Sequence, residues 1–124
     1  MRLLLIIGAG GFIGSIARYL VQQGISKIIP VIFPYGTLVV NISGCFLIGV
    51  FYVLAEKGNV LSAEWRVFLT TGFCGGFTTF STFSYEAFNL VREDQFVSLS
   101  LYISMSVIFG VAATYLAIIL TRLL

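Results

Sequence analysis

The sequence contains no histidine, only two cysteines and two prolines, and very little charge. Charged residues make up 10% of its 124 positions and hydrophobic residues 59%. Soluble domains carry about 25% charged and about 45–50% apolar residues. That shortage of charge excludes water as the natural solvent. A soluble chain this short would leave much of its surface exposed, and an apolar surface of that extent aggregates. The formal net charge of +2 is too small to mark a nucleic-acid binder. Cys45 and Cys74 lie in apolar segments among glycines and aromatics, so they read as small packing residues and not as a disulfide. Long linkers and low-complexity tracts are also missing, and residues 1–124 read as one domain.

What the sequence does have is four long apolar runs. A membrane-spanning helix needs about 20 predominantly apolar residues, and Leu3–Gln22, Gly36–Ala55, Trp65–Val91 and Val97–Leu120 meet that length. The expected fold class is therefore an all-α membrane protein with four transmembrane helices. The connectors hold Pro30 and Pro34, then Glu56-Lys57-Gly58-Asn59, then Arg92-Glu93-Asp94-Gln95. They are short, which makes consecutive helices antiparallel neighbours. The first run lacks an A-x-A-like cleavage site and is followed by three more spans, so it reads as a retained helix and not as a signal peptide.

Positive charge is spread almost evenly over the two membrane faces. One receives Arg2, Lys57, Arg66 and Arg122, the other Arg18, Lys27 and Arg92. A chain with one required orientation normally shows a clear Lys/Arg imbalance. Two readings stay open on charge: a weakly biased single orientation, or insertion both ways with antiparallel pairing.

The N-terminus carries an imitation of a nucleotide-binding turn. Leu3 to Ile7, followed by Gly8-Ala9-Gly10-Gly11-Phe12-Ile13-Gly14, resembles a strand running into a glycine-rich loop. A dinucleotide site needs an acidic residue about 20 positions on and further βαβ units. The first acidic residue after Gly14 is Glu56. The spacings Gly10-xxx-Gly14 and Gly11-xxx-Ser15 instead suit close approach of helix backbones.

The third run is the informative one. From Thr70 to Glu86 it reads Thr-Thr-Gly-Phe-Cys-Gly-Gly-Phe-Thr-Thr-Phe-Ser-Thr-Phe-Ser-Tyr-Glu, which is poor helix-forming material. A helix broken at that depth must be enclosed by protein or by a water-filled cavity. Its half-helix end near Gly75 to Thr78 would offer carbonyls to a cation. The new start near Thr79 to Thr82 would offer N–H groups and positive dipole to an anion. Asn41 brings amide donors to mid-span, Glu86 and Arg18 are ionisable groups within spans, and Tyr102 and Ser106 lie four apart on the last helix. Intramembrane ionisable groups mark ion or proton pathways by default. Phe80 and Phe83 flank Ser81-Thr82, and the edges of their rings carry positive quadrupole. These residues point to a small ion without naming it.

Gly75-Gly76-Phe77-Thr78-Thr79-Phe80-Ser81-Thr82-Phe83-Ser84 with Glu86, Pro34 to Asn41, and Ala17-Arg18-Tyr19 together resemble the Fluc (CrcB) fluoride-channel family over the whole chain. The resemblance implies an antiparallel dual-topology homodimer with two pores, in the cell inner (cytoplasmic) membrane. It implies passive export of fluoride that relieves fluoride toxicity, with no enzymatic reaction and no nucleic-acid partner. By the same resemblance, Asn41 matches the vestibule asparagine and Arg18 an arginine near that vestibule. Phe80 and Phe83 match the rings lining the anion path, and Thr37, Thr82, Glu86, Tyr102 and Ser106 fall on its polar track. Gly75 and Thr78 match residues whose backbone carbonyls hold a structural Na⁺ at the dimer axis. Gly110 departs from the pattern, because some members carry a hydroxyl there. Two alternatives remain at this stage: a fluoride–proton exchanger with Glu86 as proton carrier, and a subunit of a heteromeric channel.

Overall fold

In hydrocarbon a backbone has no water to bond, so an apolar run must satisfy its amides internally and becomes a helix. The computed structural model describes residues 1–124 and contains helices only. Helices α1 (Arg2–Ile28), α2 (Tyr35–Glu56) and α6 (Phe96–Leu123) are long and apolar enough to cross a membrane. Between α2 and α6 the chain is assembled from shorter pieces: α3 (Ala63–Val67), a π-helical segment (Phe68–Cys74), α4 (Gly75–Phe77) and α5 (Phe80–Arg92). Residues 3–7 are helical, which removes the strand that a dinucleotide site would need.

The ends follow local chemistry. α1 continues six residues beyond Gln22, and Lys27 in its last turn complements the negative end of the dipole. Pro30 and Pro34 fall in the connector, where an imino nitrogen forfeits no helical bond. Ser62 caps α3 by accepting from the Trp65 amide at 3.3 Å. The tight turns before α3 and α6 use Gly58 (φ 66°) and Asp94 (φ 54°), two residue types that tolerate the left-handed region.

Consecutive segments alternate in direction, as their short connectors require. The most extensive packing, however, joins alternate segments that run parallel: α2 against α6, and α1 against the π segment and α4. The α1 seam is made by backbone. A Cβ on Gly10 would lie 2.5 Å from Phe68 O and 2.9 Å from Phe73 N, and one on Gly14 would overlap Phe73 O. The glycine spacing that imitates a nucleotide turn thus lets two backbones touch. Gly49 serves α2 similarly, with a virtual Cβ 2.7 Å from Thr114 O.

Only 18 of the 124 residues are buried, so most apolar side chains face outward, as lipid exposure requires. The buried cluster is Leu38, Leu90 and Tyr102, with Phe33 and Phe83 packed against it. It knits α2, α5 and α6 at the membrane face that carries the first and third connectors. At the opposite face Arg2 pairs with Glu64 (3.0 Å) and Arg122 with Glu56 (3.3 Å), and Lys57 Nζ donates to Thr121 O (3.2 Å). Both cysteines are free.

Candidate functional site

Helical geometry stops after Phe77. Thr78 (φ −82°, ψ 157°) and Thr79 (φ −151°, ψ 119°) are extended, and α5 begins at Phe80. Asn41 of α2 occupies this interruption. Its Nδ2 donates to Thr79 O at 3.0 Å and its Oδ1 accepts from Thr79 N at 2.8 Å. One side-chain amide therefore satisfies both polar groups of one peptide, as a neighbouring strand would. Thr79 then caps α5, its Oγ1 accepting from Thr82 N at 3.2 Å.

Those two diversions have a consequence for the carbonyls. In an unbroken helix Gly75 O would accept from Thr79 N, and Thr78 O from Thr82 N. Both amides are committed elsewhere, which leaves the Gly75 and Thr78 carbonyls without their helical donors. The Thr78 hydroxyl turns back to Cys74 O at 2.9 Å and takes no part. Gly75 is exposed, with open space where a Cβ would stand. It borders a surface cavity of ≈ 390 Å³ lined also by Asn41, Gly44, Thr78, Thr79 and Phe80.

A second constellation lies closer to the first connector. Thr37 Oγ1 donates to Glu86 Oε1 at 2.8 Å, and the Tyr102 hydroxyl donates to Glu86 Oε2 at 2.7 Å. Gln22 Nε2 in turn donates to Thr37 Oγ1 at 2.9 Å. Four segments, α1, α2, α5 and α6, thus each bring one side chain to a single carboxylate network. A cleft of ≈ 370 Å³ reaches this network, lined by Gln22, Thr37, Thr82, Glu86, Asn89 and Glu93 together with connector residues. A row of rings leads from the buried network to the outer face, Tyr102 to Phe83 at 5.0 Å and Phe83 to Phe80 at 5.6 Å between centroids.

Thr37, Glu86 and Tyr102 meet directly, Thr82 shares their cleft, and Phe83 packs on Tyr102. Phe80 stands 79% exposed on the outer face of the chain. Asn41 is joined to Thr79 and does not touch Glu86's network. Ser106 shares the helix of Tyr102, but its hydroxyl donates at 2.6 Å to Tyr102 O, within its own turn. Arg18 is partly buried and pairs with no carboxylate of the chain. Gly110 is buried at the α2–α6 seam, where a Cβ would lie 3.4 Å from Cys45 Sγ. One turn later Thr114 supplies a hydroxyl, donating to Cys45 O at 2.9 Å. No group of three His, Cys, Asp or Glu side chains gathers around a metal position.

Sequence reasoning missed Gln22 and the capping role of Thr79. Gln22 was the last residue of the expected span, and the extension of α1 to Ile28 places it well within the helix. For Thr79 a local signal existed, because a threonine three residues before Thr82 at a helix start is an N-cap pattern.

Residues 5–118 match the family described as CrcB-like protein, Camphor Resistance (CrcB). The chain is 44% identical over 122 residues to the fluoride-specific ion channel FluC of Flavobacterium psychrophilum, covering 98% of each chain. It is 47% identical over 118 residues to the protein of the same name from Chlorobium luteolum, covering 95% of this chain and 91% of that one. The FluC of Chlorobaculum tepidum is 46% identical over 123 residues, 99% of this chain and 97% of the relative. A family match across the four apolar segments, joined to relatives alike over nearly their full length, means that this multi-pass membrane chain belongs to the CrcB-like family.

Proposed function

We propose that this chain is a fluoride-specific ion channel, which lets the anion leave the cell passively across the inner (cytoplasmic) membrane and so relieves fluoride toxicity. The observation that carries the reading is the near-full-length likeness to proteins named fluoride-specific ion channels. The local chemistry agrees with it. Fluoride is small and strongly hydrated, so a path must offer many donors in place of water. Asn41 and Thr82 carry such donors, Thr37 and Tyr102 hold the Glu86 carboxyl beside them, and Phe80 and Phe83 add positive ring edges.

In this reading residues 1–124 are one channel domain, and the active unit is an antiparallel homodimer of dual topology with the third span broken at Thr78-Thr79. The near-even Lys/Arg distribution supports the topology. The exposed face carrying Gly75, Thr78 and Phe80 is where the second copy would sit. Two copies would bring four carbonyls together, from Gly75 and Thr78 of each. Uncharged oxygens suit a hard monovalent cation, so a structural Na⁺ fits this donor set. Ser106 and Arg18 keep a place near the path as helix-face and vestibule residues.

The test is release of anion from liposomes that contain only the purified protein. Fluoride should leave and chloride should be retained; comparable chloride efflux rejects the assignment.

A further inference from the structure

We infer that Gln22 is a positioning residue of the anion path, one that fixes the direction in which the Thr37 hydroxyl points its proton. The inference rests on the channel reading above. Its basis is the count of donors and acceptors around one oxygen. Gln22 Nε2 donates to Thr37 Oγ1 at 2.9 Å, and Thr37 Oγ1 donates to Glu86 Oε1 at 2.8 Å. A threonine hydroxyl has one proton, and when a neighbour already donates to it that proton must go to the remaining acceptor. The Gln22 amide thus commits Thr37 to Glu86, as Tyr102 is committed to Glu86 Oε2 at 2.7 Å. The relay is ordered: amide to hydroxyl to carboxylate.

The location gives the order a use. Gln22, Thr37 and Glu86 line one cleft, and Thr37 is 2% exposed. A hydroxyl this enclosed has few partners, so losing Gln22 lets it rotate or turn its proton away from Glu86. The carboxylate then lacks one of its two hydroxyl donors, at the place where an anion entering the cleft meets the network.

The test uses the full-length protein in liposomes, with wild type alongside. Gln22→Met keeps the length and removes the N–H; fluoride flux should fall about tenfold while the protein still elutes as the wild type does. Gln22→Glu keeps the shape and turns the donor into an acceptor, which draws the Thr37 proton away; its loss should be the larger. Gln22→His restores a ring N–H at similar reach and should recover part of the flux. In a Thr37→Val background, Gln22→Met should add no further loss. Should Gln22→Met fail to purify, Gln22→Glu and Gln22→His carry the same comparison. Wild-type flux in Gln22→Met, or an equal loss with and without the Thr37 hydroxyl, overturns the inference. Wild-type protein that releases no fluoride overturns instead the channel reading on which it rests.

Discussion

Asn41 does the work of a whole backbone strand for one peptide, and that sets what its replacement costs. In Asn41→Ala the Thr79 N–H and C=O both lose their partner in a residue only 7% exposed. Each orphaned group costs about 1–3 kcal/mol, so the unfolding midpoint in detergent should drop by several degrees and fluoride flux should fall with it. Asn41→Asp keeps the acceptor for the Thr79 amide and loses the donor; it should fall between alanine and wild type. Phe83 invites a different comparison. Phe83→Ile preserves apolar bulk but removes the ring that meets Tyr102 and Phe80. Flux should fall steeply with an unchanged elution profile, and wild-type flux in both Phe80→Ile and Phe83→Ile would reduce the rings to packing. At this scale the sequence was informative about residue type and silent about pairing. Asn41 and Thr37 are conspicuous as polar groups in apolar runs. Nothing local says that one reaches Thr79 and the other Glu86, because those partners lie 38 and 49 residues away.

Among the elements, glycines divide into two populations that a spacing pattern cannot tell apart. Gly14 and Gly76 have backbone where a Cβ would stand, Phe73 O for one and Gly11 O for the other. Gly8 and Gly24 have nothing within 4 Å. Gly14→Ala should separate α1 from the π segment and cost about 1–3 kcal/mol, the usual range for overpacking. Gly24→Ala should be neutral or gain up to about 1 kcal/mol in helix propensity. Thermal unfolding of the two variants in one detergent checks the contrast, and equal midpoints would refute the seam. The helices themselves were legible from apolar length alone, and their ends lay within a few residues of the expected ones except at α1. That end was misplaced because Gln23, Ser26 and Lys27 look like a connector by polarity, although a helix carries such residues readily where it leaves the hydrocarbon. The π segment was not legible at all. It packs along α1, a long-range contact with no local sequence sign.

For the whole molecule, a single protomer leaves its most distinctive backbone on the outside. Gly75 has nothing within 4 Å of where a Cβ would stand, so Gly75→Ala meets no clash within one chain. If that substitution weakens dimerisation or abolishes flux, the clash must come from a second copy, and cross-linking of the purified protein reads this out directly. Thr78→Ser, which keeps the carbonyl and the hydroxyl, should be tolerated. Topology has its own check. Paired C-terminal reporters, one active on each side of the membrane, should both give signal in the unmodified protein, and three lysines added after Leu124 should bias the C-terminus inward. Signal from only one reporter would contradict insertion in both orientations. The near-even charge distribution made this expectation legible, whereas the exposure of Gly75 and Phe80 on one chain became visible only with the fold.

The glycine seam has a dynamic consequence as well. Where α1 meets the π segment and α4 through bare backbone, no layer of side chains lies between them, and there are no rotamers to exchange. Packed interiors of this kind are stiff and yield little to load. The two elements should therefore behave as one beam, with hydrogen exchange at Gly10 to Gly14 and Gly72 to Gly76 slow and matched. Motion that accompanies ion passage is then left to side chains, turning in place against a frame that stands still.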